Sequence, residues 1–165
     1  MKYFFKSRYL VCIIFILTIL HLEGCNYSGD SLGSSPGITF LVSRKTLDVG
    51  MDSIFSKNPQ YKIPEKWRDL DNWSQRGFGF LKGKIFYFKT SPEEMYYVTM
   101  LGDSIDDDIK LKTTIAIRAI NTGYRWFKYN ELSDEERKRI NERFNEEIVP
   151  RLEVYTGNHA SKETE

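Results

Sequence analysis

Cysteine is the residue in this sequence best suited to covalent chemistry, and the chain has two of them. Cys12 lies inside an apolar run, whereas Cys25 follows that run directly after Leu22-Glu23-Gly24. A cysteine thiolate is a nucleophile, so Cys25 is a candidate for covalent modification. If the apolar run were removed, Cys25 would be the sole thiol, and neither a disulfide nor a thiolate zinc cluster could form. We therefore predict no metal site and no cofactor.

The segment before Cys25 has the parts of a signal peptide. Three basic residues lie within the first eight positions, and Leu10 to Leu20 is apolar except for Thr18. Eleven residues in a helix span about 16 Å, roughly half of the hydrocarbon core of a bilayer. This length favours a cleaved signal peptide over a transmembrane helix. The alternative is a short membrane anchor that the mature protein keeps.

Leu22-Glu23-Gly24-Cys25 resembles the lipobox of bacterial lipoproteins, in which an aliphatic residue at position −3 and a small residue at position −1 precede the cysteine. The resemblance implies that diacylglycerol is attached to the Cys25 sulfur. It also implies that residues 1–24 are removed by cleavage between Gly24 and Cys25, and that a fatty acid such as palmitate is added to the new amine in many bacteria. Glu23 departs from the small or hydroxyl residue usual at position −2. The resemblance covers residues 1–25 and implies a processing route, not a fold.

Such a modification would attach the protein to a bilayer without a membrane-spanning segment, since two or three acyl chains hold a protein durably. Residue 26 is Asn and not the Asp that marks inner-membrane retention in Gram-negative lipoproteins. The resemblance therefore implies the outer membrane, facing the periplasm, if the host is Gram-negative. Residues 26–37 are rich in Gly and Ser and have no hydrophobic period, which predicts a flexible tether. Together with the lipidated Cys25 that the resemblance implies, this tether covers residues 25–37. An irregular first loop packed on the domain is the alternative.

The charge balance argues against nucleic acid as a partner. The chain has 24 basic and 23 acidic residues, of which three basic and one acidic residue precede Cys25, so 21 and 22 remain after cleavage. Binding to phosphate backbones needs a concentrated basic surface. The remaining net charge of −1 gives no such surface.

Residues 38–154 are predicted to form a single α+β domain with an antiparallel sheet of about five strands. Alternating or continuous apolar residues predict the strands. They cover 38–42, two strands within 78–88 around a turn at Lys82-Gly83, 95–101, and a hairpin formed by 112–120 and 124–129.

Three helices are expected to cover one face of this sheet. Two short N-terminal helices are predicted, one between Asp48 and Asn58, and one from the spacing of Ile63, Trp67, Leu70 and Trp73. Tryptophan at helical spacing is more often core than a ligand site.

The C-terminal helix has the clearest signature. Ser133 and Glu136 form a capping box, and an apolar stripe (Ile140, Phe144, Ile148, Leu152) repeats every four residues. Charge pairs on the opposite face are predicted to be solvated: Glu135/Arg139, Lys138/Glu142 and Arg143/Glu147. Pro150 should end or kink the helix near Val149. Residues 155–165 are predicted to form a disordered tail.

Gly102-Asp103-Ser104-Ile105 follows a predicted strand and resembles the first block of the GDSL hydrolases, whose serine is the nucleophile. The family's later Asn-Asp segment and its C-terminal D-x-x-H are missing. The one histidine after Ser104 is His159, which has Thr156 three residues before it, and only 61 residues follow Ser104. A serine hydroxyl without a base and an orienting acid is not activated. We therefore predict no catalytic residues and no enzyme activity.

The acidic residues Asp103, Asp106, Asp107 and Asp108 raise the question of a hard cation such as calcium. Their spacing does not fit an EF-hand loop, which favours a solvated acidic turn over a cation site. The same interpretation applies to Asp69 and Asp71.

The sequence thus predicts a lipid-anchored protein of the bacterial envelope whose domain acts as a non-catalytic binding module. One specific form would be an immunity protein or inhibitor that neutralises a toxin delivered to the envelope. The alternatives are a structural or assembly factor of the envelope, and a hydrolase that uses Ser104.

Overall fold

The structure, a computed structural model, describes residues 33–72, 83–101 and 111–162. In chain order the strands and α-helices are β1 (Ile38–Phe40), α1 (Arg44–Lys57), β2 (Gly83–Phe88), β3 (Glu94–Leu101), β4 (Thr113–Asn121), β5 (Trp126–Lys128), α2 (Asp134–Glu147), α3 (Val149–Thr156) and β6 (Ala160–Lys162). Short 3-10 helices occupy Pro59–Tyr61, Glu65–Leu70 and Tyr129–Glu131.

The strands form one antiparallel sheet in the order β2-β3-β4-β1-β6, and β5 also pairs with β4. The predicted α+β class with an antiparallel sheet is therefore confirmed, with six strands in the described part of the chain. The predicted hairpin is present, since Ile120 pairs with Phe127 across the turn at Asn121-Thr122-Gly123. Gly123 has φ +97°, and a Cβ there would lie 2.8 Å from the Trp67 ring, so this turn requires glycine.

Three segments share one edge of β4. β1 pairs with its start, β5 pairs with its end, and Ser35 lies between them. The backbone N–H of Ser35 donates to the Ile117 carbonyl, and the Ile117 N–H donates to the Ser35 hydroxyl, both at 2.9 Å. Ser35 is buried, so the predicted tether over 25–37 is too long at its C-terminal end. The alternative of a loop packed on the domain is correct for that end, because these hydrogen bonds satisfy a buried strand edge.

The main core lies between one face of the sheet and the three α-helices. Phe40, Phe86 and Ile117 come from the sheet, and all four residues of the predicted apolar stripe, Ile140, Phe144, Ile148 and Leu152, are buried against it. The hydrophobic period of the C-terminal helix therefore predicted its buried side correctly.

The helix ends are set by side-chain caps and by proline. The capping box of α2 forms as predicted, with the Ser133 hydroxyl accepting from the Glu136 N–H and the Glu136 carboxylate accepting from the Ser133 N–H. The helix is interrupted at Ile148, and α3 continues with Pro150 in its first turn, where a missing N–H costs nothing. Helix α1 starts earlier than predicted, because Ser43 accepts from the Thr46 N–H and caps it.

The predicted second N-terminal helix is wrong in type. Residues 59–61 and 65–70 form two 3-10 helices, and Trp73 lies outside the described residues. Pro64 lies at the N-cap of Glu65–Leu70, so it explains why the two segments do not form one continuous helix, because a proline inside a helix would clash with the preceding turn. Trp67 packs edge-on against Tyr87, with ring centroids 5.5 Å apart. The packing predicted for this tryptophan is therefore shown in part, since Trp67 is partly buried and packs against a second apolar cluster on the face of the sheet opposite the α-helices.

The end of the chain also differs from the prediction. The segment predicted as a disordered tail, 155–165, is ordered over the residues described here: α3 extends to Thr156, and Ala160–Lys162 adds strand β6 to β1. Gly157, with φ +65°, ends the helix and turns the chain towards the sheet. This polar segment has no hydrophobic period, and its order comes from backbone pairing with β1 together with the partly buried Ala160, which packs against the main core.

The N-terminal strand of the predicted 78–88 hairpin lies outside the described residues. Its second strand is present as β2, which includes Gly83. Gly83 pairs with Thr99 of β3, so it is a strand residue and not the predicted turn residue. A Cβ at this position would lie 2.7 Å from the Tyr97 ring and the Val98 carbonyl, so glycine allows this close packing.

Candidate functional site

Most residues singled out in the sequence lie outside the described residues. These are the predicted lipid-attachment residue Cys25, its neighbour Gly24, the serine Ser104, and the acidic residues Asp103 and Asp106–Asp108. Lipid attachment at Cys25, the absence of a catalytic role for Ser104 and the solvated acidic turn at Asp103–Asp108 therefore remain predictions.

Three other polar candidates are described, and all lie at the surface. Asp69 and Asp71 are exposed. The side chain of His159 is 98% exposed, with its Nδ1 atom 3.6 Å from a Glu153 carboxylate oxygen. Among residues 33–72, 83–101 and 111–162, no group of three or more His, Cys, Asp or Glu residues is arranged to hold a metal ion.

The strongest electrostatic feature is a buried carboxylate, Glu94, at the start of β3. Its side chain is 1% exposed and accepts two hydrogen bonds from the Arg139 guanidinium, each at 2.7 Å. Arg143 adds a third contact at 3.2 Å, and the Tyr96 hydroxyl donates a fourth at 3.0 Å. A buried carboxylate needs partners of this kind, because desolvation of an unpaired charge is costly.

Arg143 also ties the turn between β2 and β3 to α2. Its guanidinium donates to the carbonyl oxygens of Pro92 and Ser91 at 2.9 and 3.3 Å, and its side chain is 12% exposed. The predicted solvated face of this helix is therefore wrong for two of its basic residues, since Arg139 and Arg143 both turn towards Glu94. The third predicted pair, Lys138 and Glu142, is solvated, with a 4.0 Å separation.

A cavity of about 200 Å³ opens beside Glu94, between the end of β4, β5 and the first turns of α2. Its apolar lining consists of Ile120, Phe127, Leu132 and Ile140. Its charged lining consists of Glu94, Glu131, Glu136 and Arg139. A cavity with an apolar floor and a few convergent polar groups is the usual form of a binding site. We therefore take this cavity as the candidate functional site of the described domain.

This site had only a partial signal in the sequence. Arg139 and Arg143 are four residues apart on the face next to the apolar stripe, a spacing that places both on one side of a helix. Their partner Glu94 lies 45 residues before Arg139, and its neighbours Ser91, Pro92 and Glu93 are typical of an exposed turn. Local patterns predict helix faces but not which strand a helix packs on, so the pairing could not be found.

Two buried tyrosines outside the cavity should make the fold sensitive to high pH. Burial and a hydrogen bond to Glu147 raise the pKa of Tyr61 to about 12, and burial and a hydrogen bond to Glu93 raise the pKa of Tyr87 to about 12. Unfolded tyrosine has a pKa of about 10. Between these values the unfolded chain loses protons that the folded chain keeps, so the free energy of unfolding should fall as the pH rises.

Urea unfolding of the wild type from about pH 9 to pH 12 checks this expectation. A Tyr61→Phe/Tyr87→Phe variant should lose less stability over the same range. Tyr124→Phe is the matched control, because Tyr124 is 90% exposed and should leave the pH dependence unchanged. An equal pH dependence in the double variant and the wild type would contradict the prediction.

Within the described part of the chain, no helix is both long enough and apolar enough to cross a membrane. Comparison of the chain with protein-family models, with curated proteins and with solved structures gave no significant match in any of the three.

Proposed function

We propose that this chain is a bacterial envelope lipoprotein whose α+β domain binds a protein partner close to the membrane. The observation that carries the proposal is the order of residues before the domain: a basic start, an apolar run of eleven residues, and then Leu22-Glu23-Gly24-Cys25. Processing between Gly24 and Cys25 would leave the lipidated cysteine as the first residue. In a Gram-negative host, Asn26 favours the outer membrane, facing the periplasm.

The position of the first packed residues supports a short distance between domain and bilayer. Seven residues separate Cys25 from Gly33, and Ser35 is already hydrogen-bonded to β4. A chain of that length reaches at most about 27 Å. A partner would therefore meet the domain near the membrane surface, as expected of a protein that neutralises or organises other envelope components.

A binding role, with an immunity protein or inhibitor as its most specific form, fits a domain that has a small cavity among its described residues. The lining of that cavity combines apolar side chains with carboxylates and one arginine, groups that suit recognition of a partner's side chain. A structural or assembly role in the envelope is the second form that such binding could take. Deletion of the gene would then cause sensitivity to detergents or antibiotics, which a toxin inhibitor would not cause in the absence of its toxin.

Intact-mass measurement of the full chain expressed in a bacterial host tests the lipoprotein proposal. We expect a chain that begins at Cys25 and carries a diacylglyceryl group, with or without a further acyl chain. Cys25→Ser should stay unprocessed and unlipidated, because serine lacks the thiolate that accepts the lipid. A wild-type chain that starts at Met1, or that has a free thiol at position 25, would contradict the proposal.

Capture from envelope extracts, with the lipidated protein in detergent, tests the binding role. We expect one specific protein partner to be recovered in excess over a control lipoprotein. Recovery of the same proteins in equal amounts with this chain and with the control lipoprotein would contradict a specific binding function, even if Cys25 were lipidated.

A further inference from the structure

The size of the cavity between β5 and α2 limits what it can hold. Pockets that bind cofactors or drug-sized ligands usually have volumes of about 300–1,000 Å³. At about 200 Å³, this cavity is smaller and matches a single side chain. Its apolar floor, which includes Phe127 and Leu132, suits a side chain with a long aliphatic stem.

The other two carboxylates of the cavity, outside the Glu94 cluster (Glu94, Tyr96, Arg139 and Arg143), are hydrogen-bonded to backbone and hydroxyl groups of described residues, and Glu136 also interacts electrostatically with Arg139. Glu131 accepts from the Lys128 backbone N–H at 3.1 Å, and Glu136 accepts from the N–H and hydroxyl of Ser133 at 2.9 and 2.8 Å. Neither makes an ion pair within 4.0 Å with a described residue. The hydrogen bonds from Ser133 lower the pKa of Glu136, so this carboxylate is ionised at neutral pH.

Glu94, by contrast, cannot accept a new cation. Arg139 and Arg143 already occupy it, and the side chain is buried. Arg139 is held in a two-point contact with Glu94, so its guanidinium is also not available as a two-point binding site for an anion. The charge left for a ligand at this cavity is therefore negative and comes from Glu131 and Glu136.

We propose that the cavity receives a basic side chain, arginine or lysine, from the protein partner, whose aliphatic stem packs on the apolar floor while its charged group binds Glu131 and Glu136. This inference rests on the proposed binding function and specifies the partner's chemistry. Residues of this kind, placed in a pocket and surrounded by weaker contacts, often dominate the affinity of a protein interface.

Blocked tripeptides provide a test that does not require the partner. The probes are Gly-Arg-Gly, Gly-Lys-Gly, Gly-norleucine-Gly and Gly-Glu-Gly, titrated into the isotope-labelled full chain in detergent. We expect the arginine and lysine probes to shift the NMR signals of the backbone amides of Phe127, Leu132 and Glu136. The norleucine and glutamate probes should shift these signals much less.

Glu131→Gln/Glu136→Gln should weaken binding of the arginine probe roughly fivefold, the effect of losing partly exposed ion pairs. Glutamine keeps the hydrogen-bonding shape of both side chains, so the helix cap is retained. Glu142→Gln is the matched control, since it removes the same kind of charge from the solvated side of α2 and should leave binding unchanged.

Several results would overturn the proposal. Equal shifts with norleucine would identify an apolar site, and stronger shifts with the glutamate probe would identify an anion site at Arg139. A dimer in sedimentation that the Glu131→Gln/Glu136→Gln variant disrupts would make a second copy the occupant. Because all of these measurements are independent of lipid attachment, they can fail while the lipoprotein proposal stands, and the reverse is equally possible.

Discussion

Glu94→Gln should lower the free energy of unfolding by about 3 kcal/mol. The substitution keeps the shape of the side chain but removes the charge that Arg139 and Arg143 share. Both guanidinium groups would then lie side by side without an anion, and Arg143 is 12% exposed, so water cannot replace the carboxylate fully. The loss is at the lower end of the range for a broken buried ion pair because Arg139 is 36% exposed. Urea unfolding monitored by circular dichroism measures the change.

Glu142→Gln is again the matched control, and it should change stability by less than about 0.5 kcal/mol. A double-mutant cycle with Arg139→Gln separates the pair from its surroundings. The loss in Glu94→Gln/Arg139→Gln should be smaller than the sum of the two single losses, because the first substitution already removes the interaction. Strictly additive losses, or an effect of Glu94→Gln as small as that of the control, would show that the Glu94 cluster does not stabilise the fold.

Phe144→Ala should lower the free energy of unfolding by about 4 kcal/mol, at least as much as Glu94→Gln. Phe144 is 1% exposed and lies in the stripe that joins α2 to the sheet. Its ring meets the edge of Phe86 with centroids 5.9 Å apart. Truncation to alanine removes this contact and leaves a cavity that surrounding strands cannot close, since Phe86 is fixed within the sheet.

Chemical denaturation gives the size of this loss, and Tyr124→Ala provides the comparison. Tyr124 is also aromatic but is 90% exposed, so its truncation should change stability by less than about 0.5 kcal/mol. If Phe144→Ala proves too unstable to purify, Phe144→Leu should lose about 1.5 kcal/mol, because most of the volume is kept. Equal stability of the Phe144 and Tyr124 variants would refute the assigned core.

Elements with strong local signals could be predicted from the sequence. The capping box at Ser133 and the four-residue stripe from Ile140 to Leu152 fix both the start and the buried side of the C-terminal helices. The strand before the Asn121-Thr122-Gly123 turn could be predicted because its isoleucines alternate and its turn residues are diagnostic. In each case the information lies within about ten residues.

Elements that depend on distant partners could not be predicted in this way. Strand β6 has an ordinary polar sequence, and it is a strand because β1 offers an unpaired edge more than 100 positions earlier. The segment around Trp67 has a helical period, but it forms two short 3-10 helices separated at Pro64, and Trp67 packs on the sheet by its side chain. Hydrophobic spacing reports which side is buried more reliably than it reports the type of helix.

The candidate site illustrates the same limit. In the sequence, the acidic residues of the first turn of α2 are explained by their favourable interaction with the helix dipole. For Asp134 this explanation is sufficient. Glu131 of the 3-10 helix and Glu136 of α2 become walls of one cavity only because the fold brings Phe127 of β5 and Ile120 of β4 to the same place. The composition of a surface can be read from sequence, but its concavity cannot.

The pairing of β6 with β1 has a practical consequence for anyone labelling this protein. Because Lys162 lies opposite Ile38, the last described residue of the chain sits beside the segment that leads back to Cys25. If Cys25 carries lipid as proposed, a fluorescent protein fused after this strand would lie beside the segment that leads to the anchor and would hinder lipidation. Lys138, whose side chain is 77% exposed on the solvated side of α2, is the better place for a dye.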